Sequence, residues 1–211
     1  MKLPLLTSVR LALALDLVER VAVLALLGHF AWRILLSWFE TGDPVGLILL
    51  ASEVLIVFLC LIRRLSAEMS ARPADWILAT LGTVTPLLVV PIEGHALAPA
   101  AFFIPLMLAG VCLQIAAKLT LRRSFGLVAA NRGIKIGGPY RLIRHPMYAG
   151  YLMIHIGFLM ANPSLWNVAI YSAAFVFQVG RILAEEKILS RDAAYRDFVR
   201  AVPYWFIPRI V

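Results

Sequence analysis

Charge is scarce in this chain, and acidic charge most of all. Only 15% of its 211 residues are Asp, Glu, Lys or Arg, and 12 of them are acidic. Soluble domains average about 25% charged and about 45–50% apolar, whereas 62% of this chain is hydrophobic and its mean hydropathy is +0.87. A soluble globular domain is therefore excluded. Cysteine is nearly missing too. Cys60 and Cys112 both fall in apolar stretches, which reads as packing rather than as a disulfide or a metal site. The four histidines are scattered, so no metal-ligand set is expected. No strand precedes a GxGxxG turn, which excludes a Rossmann site, and Ser124-Phe125-Gly126 is no nucleophile elbow. No cleavable signal peptide is expected, because Asp16, Glu19 and Arg20 interrupt the first apolar run. The net charge of +8 does not point to nucleic acid, since the basic residues cluster at the ends of apolar runs, the usual membrane pattern.

What remains is a succession of long apolar runs. Leu17–Phe39, Val45–Ile62, Trp76–Ile92, Pro99–Leu119, Met147–Ala161 and Leu165–Gly180 are each mostly or wholly uncharged. A span needs roughly 20 apolar residues. The expected fold is an all-α membrane protein, a polytopic bundle of about five to six spans forming one domain over residues 1–211. Pro86 and Pro91 should kink the third run. Asn162-Pro163-Ser164 should turn the last two into a helical hairpin. Glu53, deep in the second run, is a functional candidate or a protonated side chain bonded between helices.

Between the fourth and fifth runs, Lys118 to Arg144 holds seven basic residues and no acidic one. A juxtamembrane helix, a loop punctuated by Gly133, Gly137 and Gly138, and the start of another helix are expected there. Lys and Arg mark the Arg63–Arg72 loop, this segment and both ends, while the turns at Glu40 and Glu93 have none. Both termini and the basic segment should therefore be cytoplasmic, in a bacterial-type inner membrane.

Two polar clusters sit at that face. Gly138-Pro139-Tyr140-Arg141-Leu142-Ile143-Arg144-His145-Pro146-Met147-Tyr148-Ala149-Gly150 gathers prolines, aromatics, arginines and a histidine between apolar runs. Pro146 disfavours helix at His145 and favours a helix start behind it. Free N–H groups there suit a carboxylate, and Tyr140 and Tyr148 offer ring faces to a cation. An interfacial anchor of aromatics and arginines is the plainer alternative. Arg181 and Glu185 form the second cluster. They share a helix face at i, i+4, as a surface ion pair would.

Together these residues resemble the isoprenylcysteine carboxyl methyltransferases and, in weaker outline, the phospholipid methyltransferases. The resemblance is carried by Gly138, Tyr140, Arg144, His145, Pro146, Tyr148 and Gly150, then Arg181, Glu185, Glu186, Tyr195, Val202 and Pro203. It covers the C-terminal half, with 118–211 as the methyltransferase core and 1–117 as generic spans. It implies S-adenosylmethionine as methyl donor, bound by Arg132, Gly133, Ile134, Lys135, Tyr140, His145, Pro146, Met147, Tyr148 and Glu185. Arg132-Gly133-Ile134-Lys135 departs from the family's usual sequence, so contacts there would be mainly backbone, and Glu186 competes with Glu185 for the cofactor role. Arg181 would face the substrate as the catalytic, substrate-binding residue. The implied acceptor is the carboxylate of a prenylated or otherwise lipophilic molecule entering from the bilayer, with membrane lipids around the protein. Alternatives are a phospholipid N-methyltransferase, a non-catalytic membrane protein that binds a small molecule, and a sterol-type reductase using NADPH.

Overall fold

A computed structural model describes residues 9–41, 54–64, 69–91 and 96–209. Glu53, the turns at 42–44 and 93–95, and the first half of the second apolar run lie outside them. Among the described residues the fold is helical, with one isolated bridge between Met69 and Ala130 and no strand. The helices are α1 (Val9–Thr41), α2 (54–62), α3 (Pro73–Val84), α4 (Ala100–Leu121), α5 (Pro146–Ala161), α6 (Leu165–Leu189) and α7 (Ala193–Ala201).

Three of these helices, α1, α4 and α6, are long and apolar enough to cross a membrane. The third apolar run gives a shorter element than expected, and the fifth gives the short helix that its length implied. After 12 residues α3 tightens into a 3-10 turn, Thr85–Leu88, and then becomes extended. Pro86 lacks the N–H that would continue the α ladder, so it ends the helix rather than kinking it. At 16 residues, α5 is about 24 Å long. Conversely, α1 reaches 33 residues, well beyond the apolar run Leu17–Phe39. Large apolar side chains such as Leu17, Trp32, Phe102 and Leu165 are exposed on the helix surfaces, as lipid-facing residues are.

The Asn162-Pro163-Ser164 turn joins α5 to α6, and Ser164 caps α6 by accepting the Asn167 N–H at 3.0 Å. Yet α5 lies mainly along α4, and α6 along α3. Glycines set the first of these pairings. A Cβ on Gly110 would come 2.7 Å from the Gly150 carbonyl oxygen, and one on Gly150 would come 2.6 Å from that of Gly110. Backbone-to-backbone approach of this kind is how small residues pack helices in membranes. Where α5 meets α6, His155 stacks on Tyr171 with ring centres 4.1 Å apart.

The segment between α4 and α5 holds no further α-helix. It has two short 3-10 turns, Arg122–Ser124 and Gly138–Arg141. Gly133 and Gly138 have φ of 96° and 52°, a region where glycine carries no side-chain penalty, in the loop expected there; in place of the expected juxtamembrane helix before them stand the last turn of α4 and the Arg122–Ser124 turn. Cys60 is buried as expected, but Cys112 is exposed on α4. The main core, with Ile56, Leu59, Ala117, Phe125, Met147, Ile182 and Phe198, sits directly beneath this segment.

Candidate functional site

His145 is held out of the helical region at φ −124°, ψ 56°, and Pro146 opens α5 behind it. The N–H groups of Met147 and Tyr148 therefore have no carbonyl one turn back. His145 is tied to the C-terminal segment through its N–H, which donates to the Trp205 carbonyl at 3.1 Å; Arg144 does the same to Tyr204 at 2.8 Å. These bonds close the segment over α5 and α6.

A cavity opens at this point, with about 780 Å³ of non-atom space, part of it continuous with solvent. Arg132, Gly133, Ile134, Lys135, Tyr140, His145, Met147, Tyr148 and Glu185 all line it. Pro146 does not line it; its side chain is fully buried at the start of α5. The Tyr148 hydroxyl donates to Glu185 Oε1 at 2.8 Å. Burial, with the Glu185 charge adding to it, raises the Tyr140 phenol above its ordinary range, so it stays protonated.

The two glutamates divide their roles. Glu186 Oε1 receives Arg144 Nη1, meets His145 Nε2 at 2.9 Å and accepts the Tyr195 hydroxyl at 3.3 Å. Glu186 is therefore a hub that fastens α6 to the start of α5 and to α7. Glu185, on the adjacent face, points into the cavity.

Arg181 lines a second cavity instead, together with Leu27, Ile56, Pro86, Leu127, Tyr151 and Gln178. Met147 borders both cavities. Although Arg181 and Glu185 are one turn apart, they form no ion pair. The Arg181 Nη2 donates to the Leu127 carbonyl at 3.0 Å, the guanidinium lies over the Tyr148 ring, and its Nε is buried without a hydrogen-bond partner. A buried, incompletely bonded guanidinium is costly unless an anion completes it.

Sequence reasoning missed a buried ionic cluster beside the first cavity. Arg63 bridges Asp16 at 2.6 Å and Glu19 at 2.7 Å, with its side chain fully enclosed. Glu19 also accepts the N–H groups of Leu127 and Val128 at 2.7 and 3.1 Å. Arg132 reaches Glu19 at 3.5 Å, and its guanidinium fills the place a Cβ would take on Gly126. Burial lowers the Arg132 pKa against the pull of Glu19. Burial opposes Arg63 as well, but the Glu19 and Asp16 carboxylates outweigh it and raise its pKa. The signal was present: Asp16, Glu19 and Arg20 share one face of an otherwise apolar helix.

Residues 101–195 match the model of the phospholipid methyltransferase family, from the start of α4 into α7. No curated protein matches the chain. The matched stretch, just under half of the chain, contains every residue lining the first cavity except Phe198. Three helices long and apolar enough to span mark an integral membrane protein, and its stretch 101–195 is similar to the phospholipid methyltransferases.

Proposed function

We propose that the protein transfers a methyl group from S-adenosylmethionine, held in the first cavity, to the carboxylate of a lipophilic, isoprenylcysteine-like acceptor held in the second. The observation that carries this reading is the adjacency of two unlike cavities. One is the more polar, with Glu185 and three tyrosines; the other is the more apolar, with a single guanidinium in its wall; Met147 borders both.

The residues of the first cavity fit the donor's chemistry. The Glu185 carboxylate and the Tyr140 ring suit its positive groups. The free N–H groups of Met147 and Tyr148 suit its carboxylate. Lys135 and Arg144 add positive charge at the rim. Bound there, S-adenosylmethionine supplies an electrophilic methyl group on a sulfonium.

The second cavity supplies positioning. Arg181 presents an unpaired Nε and a planar fork, the geometry that holds a carboxylate by two bonds. A carboxylate is already nucleophilic and sheds no proton on methylation, so a general base is unnecessary. Apolar walls keep water from the reacting groups, and in-line alignment supplies the rest. A third cavity between α1 and α3 shares Leu27, Thr83 and Leu127 with the second, which suits an acceptor arriving from the bilayer.

A phospholipid amine is the second reading, favoured by the description of the matching family. Arg181 would then hold the lipid phosphate, and a proton would have to leave the nitrogen. The deciding experiment incubates purified protein with labelled S-adenosylmethionine and either a prenylcysteine analogue or phosphatidylethanolamine vesicles. Label in a base-labile ester supports the carboxylate. Label in the phospholipid headgroup replaces it with the amine. Donor binding without label in either leaves a binding protein.

A further inference from the structure

We propose that Glu19 is a positioning residue that aims Arg181 through the backbone of Leu127, which makes α1 part of the acceptor site although it lies outside the stretch that matches the family. This rests on the methyltransferase reading above. Leu127 is bonded on both sides of its own backbone. Its N–H donates to Glu19 Oε1 at 2.7 Å, and its carbonyl accepts Arg181 Nη2 at 3.0 Å. That carbonyl shares its peptide group with the Val128 N–H, which also donates to Glu19 Oε1, at 3.1 Å, so Glu19 fixes the peptide from the α1 side and the peptide fixes the guanidinium on α6.

Glu19 is itself immobilised. Its side chain is buried, and Arg63 and Arg132 contact its two oxygens. Arg63 is anchored in turn by Asp16, which receives Arg63 Nη2 on its carboxylate and, through its carbonyl, at 3.0 Å. A network this buried is expensive for a simple membrane anchor, because each enclosed charge loses its hydration. Two apolar helices could pack at this level without it. What the network adds is a fixed location for one peptide group in an otherwise irregular loop, and that peptide carries the arginine of the second cavity. Val128, bonded to the same carboxylate at 3.1 Å, lines the first cavity.

The test is a double-mutant cycle on methyl transfer. Glu19→Asp keeps the charge that Arg63 needs but shortens the side chain by one methylene, so it cannot hold Arg63 and the Leu127 N–H together. Misplacing a reacting group by about 1 Å can cost up to roughly a hundred-fold, and a loss in kcat of about ten-fold or more is expected. In an Arg181→Lys background the same change should cost about two-fold or less, because interacting positions do not add. Equal losses in both backgrounds would overturn the proposal and leave Glu19 a stabiliser of the fold. Should Glu19→Asp fail to fold, amide exchange on the wild-type protein decides. In the segment 124–130, where the Phe125 amide is bonded to Arg122, the Leu127 and Val128 amides should be strongly protected as well, and their complete exchange within seconds would overturn the proposal. A wild-type protein that transfers no methyl sinks the functional reading instead, and the exchange measurement still reports whether Glu19 holds Leu127.

Discussion

The guanidinium carbon of Arg181 lies 5.5 Å from the centre of the Tyr148 ring. The tyrosine face that the sequence offered to a ligand cation is therefore covered by the protein's own arginine. The stacking holds the guanidinium in place and leaves its edge for an anion. It also joins the two cavities, because the Tyr148 hydroxyl bonds Glu185 in the first while its ring supports Arg181 in the second.

Arg181→Lys keeps the charge but loses the planar fork and the stacking. With a carboxylate acceptor, turnover should fall roughly ten- to hundred-fold, the size of a lost charge-assisted bond, while S-adenosylmethionine affinity stays near that of wild type. Steady-state kinetics at saturating acceptor, with calorimetry for the donor, checks both halves. Near wild-type turnover would remove the carboxylate assignment and promote the phospholipid amine.

The adjacent glutamates should separate cleanly. Glu185→Ala should weaken donor affinity roughly ten- to hundred-fold and leave thermal unfolding in detergent nearly unchanged, because Glu185 fastens only the Tyr148 hydroxyl. Glu186→Ala strands Arg144 and His145 together, so its first effect should be lower stability, by about 1–3 kcal/mol. His145→Ala removes a wall of the cavity and should also weaken the donor. If Glu185→Ala bound the donor normally while Glu186→Ala did not, the roles would be reversed.

The resemblance placed most of the candidate site, because its motif is local: Tyr140, His145, Met147 and Tyr148 lie within nine residues and need only one loop and one helix start to converge. Spacing at i, i+4 alone allowed an ion pair between Arg181 and Glu185, whereas the two residues line different cavities. The charges of Asp16, Glu19 and Arg20 on one helix face were visible, but their link to the site was not, because the peptide that Glu19 holds is more than a hundred positions away in the chain. Apolar length found α4 and α6 well. It missed the early end of α3, where one proline outweighed a long apolar pattern.

The crossing of α4 and α5 supplies a test of the fold itself. Gly150→Ala puts a methyl group where the Gly110 carbonyl oxygen stands at 2.6 Å. The helices must move apart, and overpacking of this kind costs about 1–3 kcal/mol. Because Gly150 follows the first turn of α5, the shift should also disturb Met147 and Tyr148. Lower thermal stability and weaker donor affinity should appear together. Unchanged melting and binding would mean that the two helices do not cross at this pair.

The orientation follows from basic ends that the fold brings together. The Arg64 N–H donates to the Arg123 carbonyl at 2.7 Å, and Arg123 Nε donates to the Ile62 carbonyl at 2.9 Å. The end of α2 and the end of α4 are therefore on one face, with both cationic segments of the sequence. From Arg20, which bonds the Arg63 carbonyl, to Glu40, α1 runs about 30 Å, the thickness of a hydrocarbon core. Glu40 thus lies at the opposite end of α1, and the sequence from Glu40 to Pro44 carries no Lys or Arg. On the bias of Lys and Arg toward the cytoplasm, the expected side for His145, Glu185 and the first cavity is the cytoplasmic one, where a water-soluble cofactor would be available. Reporter fusions at Gly42 and His95 should read periplasmic, and fusions at Glu68 and Val211 cytoplasmic. The reverse pattern would turn the protein over and leave the donor cavity facing a compartment without its cofactor.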